Sequence, residues 1–76
     1  MRYFFDILSD RLETVDEEGC ELESDAQMQA EATRLLADIV VAEAPYGIAR
    51  LTARVRDGQG RQVYRTVLSI EGQRVQ

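Results

Sequence analysis

Histidine, lysine, asparagine and tryptophan are absent from this 76-residue chain, which holds one cysteine and one proline. Losing histidine and lysine removes the usual general base, the Schiff-base amine and the commonest metal ligand together, so enzymatic chemistry is not expected. A single cysteine, Cys20, excludes an internal disulfide framework and suits a reducing cytoplasm. With Glu18 and Glu21 beside it and no histidine to activate it, Cys20 reads as a small packed residue, not a nucleophile. No apolar run approaches the roughly 20 residues of a membrane span. The opening Met1-Arg2-Tyr3-Phe4-Phe5 meets Asp6 before the apolar core of a secretory leader can form. The expectation is a cytoplasmic protein with no membrane segment.

What is present is unevenly placed. Residues 1–43 hold twelve carboxylates against three arginines, and residues 44–76 hold six arginines against two carboxylates, for a net charge of −5. Such a division serves a charged partner, a second copy, or internal neutralisation. At 45% hydrophobic and 30% charged residues the composition is that of a globular protein, not a disordered one. The length allows one domain, expected over residues 1–70 with a frayed tail at 71–76, and a chain this short buries only about 60–65% of its unfolded surface. Self-association would therefore help it.

Hydrophobic periodicity gives the elements. Arg2 to Ile7 reads as a central strand, with Tyr3, Phe5 and Ile7 on one face and Arg2, Phe4 and Asp6 on the other. A weaker strand is expected around Arg11 to Val15, with Leu12 inward. Asp16-Glu17-Glu18-Gly19 interrupts it, and an extended stretch at Cys20 and Leu22 leads on. Ser24-Asp25-Ala26-Gln27 has the S-x-x-Q form of a capping box, and Met28, Ala32, Leu35, Leu36 and Ile39 form an apolar stripe along the helix that follows. Arg34 on the outer face is spaced to pair with Glu31 and Asp38. Ala44-Pro45 should end the helix and Tyr46-Gly47 complete the exit. Arg50 to Asp57 and Arg61 to Ile70 are two strands joined by Asp57-Gly58-Gln59-Gly60, with Arg56 expected opposite Arg61. The order is ββαββ: an α+β fold with a four-stranded antiparallel sheet and one helix packed on one face. The core expected is Tyr3, Phe5, Ile7, Leu22, Met28, Ala32, Leu35, Leu36, Ile39, Leu51, Ala53, Val55, Leu68 and Ile70.

The opening Met1-Arg2-Tyr3-Phe4-Phe5-Asp6-Ile7, the stretch Asp16-Glu17-Glu18-Gly19-Cys20-Glu21-Leu22, the alanine-rich helix and Val55-Arg56-Asp57-Gly58-Gln59-Gly60 followed by Val63 resemble a family of short bacterial proteins classed as a domain of unknown function. The resemblance spans nearly the whole chain. It implies a small stand-alone bacterial cytoplasmic protein and brings no activity, cofactor or catalytic residue. Members often carry proline where this chain has Val15.

Two clusters of like charge are candidates for binding. The acids Asp16, Glu17, Glu18, Glu21 and Glu23 lack the alternating ligands and terminal bidentate acid of a calcium loop, so no metal or other cofactor is expected. The arginines Arg50, Arg54, Arg56, Arg61 and Arg65 form a stripe on the last hairpin. Phosphates would suit it, but the overall charge is acidic and the aromatics are not interleaved with the arginines. The expected partner is therefore protein, either self or an acidic surface, in a non-enzymatic interaction or regulatory module, homodimeric through its sheet. A nucleic-acid-binding regulator is the alternative. The candidate interaction surface is Phe4, Arg50, Arg54, Arg56, Arg61, Val63, Arg65 and Val67, with Phe4 unexplained in a monomer whose sheet face is open.

Overall fold

The computed structural model describes residues 1–43 and 50–75, so the helix exit at Ala44-Pro45 and the turn at Tyr46-Gly47 lie outside the described residues. Strand β1 (Arg2–Ser9) is followed by two short strands, β2 (Glu13–Thr14) and β3 (Cys20–Glu21), then helix α1 (Asp25–Glu43), β4 (Arg50–Arg56) and β5 (Gln62–Ser69). The sheet runs β2-β1-β4-β5, with β3 pairing the same side of β1 as β2 and every pairing antiparallel. This is the expected α+β fold, with one difference in the sheet. Its first position is two two-residue pieces on the outer side of β1, not a continuous Arg11 to Val15 strand.

Period-two alternation sorts the strands onto two faces. Tyr3, Phe5, Leu51, Ala53 and Val55 are buried under the helix, which presents Met28, Ala32, Leu36 and Val40 to them. Ile7, Cys20, Leu22, Leu35, Ile39, Tyr64 and Leu68 pack around that centre. Val40 extends the predicted stripe by one residue. Ile70 leaves the predicted core: it follows β5 and is 42% exposed. Leu12 is 67% exposed instead of inward, because Ser9 closes a tight turn there. The Ser9 Oγ accepts from the amides of Arg11 (3.2 Å) and Leu12 (3.1 Å), and the Ser9 amide donates to the Leu12 carbonyl at 2.8 Å.

Ser24 caps α1 as expected, its Oγ accepting from the Gln27 amide at 3.2 Å. Gln27 reaches back to the amide of Glu23 (2.9 Å), one residue before the cap itself. Arg34 bridges Glu31 and Asp38 on the outer face. At the last hairpin Arg56 pairs with Gln62, not Arg61, and a bulge between Val55 and Arg56 restores the register so that Val55 faces Tyr64. The cause is Asp57. Its Oδ1 accepts from the amides of Gln59 (2.8 Å) and Arg61 (3.0 Å), and its amide donates to the Arg61 carbonyl at 2.9 Å. The turn therefore closes at Asp57 and Arg61, and one residue of β5 is accommodated as a bulge.

Candidate functional site

The face of the sheet away from the helix carries residues in cross-strand rows. Leu8, Thr52 and Val67 form one row, Asp6, Arg54 and Arg65 the next, and Phe4, Arg56 and Gln62 a third. Five predicted surface residues, Phe4, Arg54, Arg56, Arg65 and Val67, fall in these rows, and Arg50 ends the same face opposite Ser69. Arg61 and Val63 do not join them. They border a cavity of about 330 Å³ with Tyr3, Asp25 and Met28, on the helix side of the sheet. The bulge that admits Val63 is the reason for its departure, and Arg61 is held in the turn by its Nε bond to Asp57 Oδ2 at 3.2 Å.

One end of the open face is a closed bracket of charges. Asp6, only 7% exposed, accepts from Arg56 Nε at 2.7 Å and Nη2 at 3.0 Å, a bidentate pair. Arg56 Nη2 also donates to the Asp16 carbonyl at 2.9 Å, and the Asp16 amide donates to Asp6 Oδ1 at 3.0 Å. The Asp16 carboxylate turns inward. Its Oδ2 accepts from the Phe5 amide at 3.0 Å, while Oδ1 accepts from the amides of Glu18 (3.1 Å) and Gly19 (3.0 Å). Phe5 lies on β1 between the positions paired by β2 and β3, so Asp16 supplies the acceptor that a continuous neighbouring strand would have supplied. The Arg56 guanidinium holds the Asp6 carboxyl below its ordinary range against the opposing effect of burial. For Asp16, burial acts upward, and the amides of Gly19, Phe5 and Glu18 outweigh it, so its pKa also falls.

Phe4 is accounted for within this bracket. Gly19 has φ +76°, and a Cβ there would stand 2.9 Å from Phe4 Cε2 and 3.0 Å from the Tyr3 carbonyl, so only glycine lets the loop lie on the ring. The Arg56 guanidinium carbon sits 5.2 Å from the ring centroid. Phe4 is therefore half-buried by its own chain and gives no reason to place a partner there. Asp6, Asp16 and Gly19 were missing from the predicted surface. Their signal was an acid on a strand face opposite arginine, with aspartate three residues before glycine.

The remaining arginines are engaged unequally. Arg54 pairs with Glu13 at 3.3 Å, and its Nε is buried without a hydrogen bond. Arg50 and Arg65 are exposed and form no ion pair with the described residues. A groove of about 550 Å³ opens between the helix and the first hairpin, lined by Ile7, Leu12, Ile39 and Leu51 with Arg11 and Glu43 at its rim. Among the described residues no group of three acidic or cysteine side chains is placed to hold a metal ion, and no helix is long and apolar enough to cross a membrane.

These features define a two-layer α+β domain whose first sheet edge is sealed by an Asp6–Arg56–Asp16 bracket. The stretches that build the bracket carry the family resemblance. The chain belongs to the family described as Domain of unknown function (DUF6894), whose model matches residues 2–69. No curated protein and no solved structure matches the chain.

Proposed function

We propose that this chain is a non-enzymatic interaction module that joins a second copy of itself through its sheet. The inequality of the two sheet edges carries this reading. The β1 edge is occupied by β2, β3 and the Asp16 carboxylate, while β5 forms the other edge over eight residues with no strand beyond it among the described residues. Soluble monomers blunt such an edge with lysine, proline or an inward charge. Here β5 has a bulge at one end and the single charge of Arg65.

The arginine stripe supports a nucleic-acid reading less well. Arg54, Arg56 and Arg61 are engaged with Glu13, Asp6 and Asp57, which leaves Arg50 and Arg65 as exposed cations on an acidic molecule. Sedimentation velocity from low to high micromolar concentration, at two salt concentrations, tests the proposal. A concentration-dependent shift to the mass of a dimer is expected, and a strictly monomeric species throughout refutes it.

A further inference from the structure

The hydrogen-bond directions of the sheet show which groups β5 leaves open. On β1 the amides of Phe5 and Ser9 point away from β4, to Asp16 Oδ2 and the Leu12 carbonyl. At the start of the last hairpin the Asp57 amide points across to Arg61. Antiparallel strands alternate the direction of their polar groups residue by residue. Leu51, Ala53 and Val55 therefore exchange bonds with Leu68, Thr66 and Tyr64, and Arg65, Val67 and Ser69 turn their N–H and C=O groups outward.

We infer that this outward row pairs with the same row of a second copy, antiparallel about a two-fold axis at Thr66, so that two sheets become one. This rests on the self-association reading above and names its site and register. A two-fold between identical strands must pass through a residue if faces are to match. Through Arg65 it would stack Arg65 on the partner's Arg65, a like-charge pair. Through Val67 it would set Leu68 against the partner's Thr66, so that Tyr64 and Leu68 no longer meet. Through Thr66 it sets Tyr64 against the partner's Leu68 on the helix face and Arg65 against the partner's Val67 on the open face. Tyr64 and Leu68 are half-buried flanks of the core. The Thr66 register thus joins two apolar flanks and keeps the two Arg65 side chains from facing each other.

The test is covalent capture of the axis. Residues facing each other across a non-hydrogen-bonded antiparallel pair have Cα atoms about 4.5 Å apart, within disulfide reach. Thr66→Cys in a Cys20→Ser background should give a covalent dimer under mild oxidation, while Thr52→Cys on the inner strand β4 should not. Arg65→Pro removes an outward amide that the β4 ladder does not use, so the monomer should keep its circular dichroism spectrum while its dimer dissociates at about tenfold higher concentration. Arg65→Ala should leave the dimer intact. If the wild type sediments as a dimer but Thr66→Cys does not cross-link, or Thr52→Cys cross-links equally, the edge assignment is overturned and self-association stands. If the wild type is a monomer at every concentration, both fall.

Discussion

Along the outer side of β1, two-residue strands alternate with side chains that take over the hydrogen bonding of a missing neighbour, whereas the outer side of β5 presents eight residues of regular backbone. The first edge draws on residues far apart in the chain: Asp6 from the strand, Asp16 and Gly19 from the loop, Arg56 from the penultimate strand. The second edge takes its backbone pairing from β4 alone and packs Tyr64 and Leu68 on the core. A sheet can therefore be closed on one side at the cost of several buried polar groups and left able to extend on the other. If this contrast holds, substitutions on the sealed edge should act on folding, and substitutions on the open edge on association.

The largest effect is expected at the bracket. Asp6→Ala leaves the Arg56 guanidinium and the Asp16 amide without their acceptor in a nearly buried site, and should cost about 3 kcal/mol in urea unfolding. For a domain of this size that lowers the Tm by about 15 °C. Asp16→Ala removes the acceptor of three amides and should cost about 2 kcal/mol. Gly19→Ala belongs with it, since both the positive φ and the contact with Phe4 resist a side chain, and about 2 kcal/mol is expected. Losses below about 0.5 kcal/mol at all three positions would show that the edge is not held by these groups.

Acid should expose the same asymmetry. Asp6 and Asp16 have pKa values lowered by folding, so they stay ionised when their counterparts in the unfolded chain, near 3.9, begin to take up protons. The unfolded state then binds more protons than the folded one, and stability falls as pH falls. Stability should be level above about pH 5 and decline through pH 4 and below. Asp6→Asn, less stable at neutral pH, should decline less steeply. An equal slope in both proteins would place the acid sensitivity elsewhere.

How far the sequence revealed this contrast depends on the range of the interactions involved. The helix, its cap, the Arg34 pairs and the face assignments of β1, β4 and β5 from Tyr64 to Leu68 were legible, because each rests on neighbours three or four residues apart or on strict alternation. The pairing of Arg56 was not, since Asp57 binds two amides of the turn and sets where the hairpin closes. Nor was the bracket, in which Asp6 and Arg56 are fifty residues apart. Phe4 misled for a related reason. A phenylalanine on an open sheet face suggests a missing partner until the loop crossing it is known to end in a glycine at φ +76°. The arginine stripe likewise separated once Arg61 was drawn to Asp57 and Arg56 to Asp6.

The smallest effect expected carries a sign that tests the open edge. Arg65 stands directly across from Arg54, whose Nε is already buried without a partner, so the two cations oppose one another on adjacent strands. Like charges at such positions destabilise by a few tenths of a kcal/mol or more, and threonine suits an exposed strand position better. Arg65→Thr should therefore stabilise the monomer, by about 0.3 kcal/mol at low salt and less as salt screens the repulsion. Urea unfolding below the association range, at low and high salt, reads this directly. A loss of stability would mean that Arg65 is held by its own chain. A gain would mean that this arginine works against the fold of the single copy.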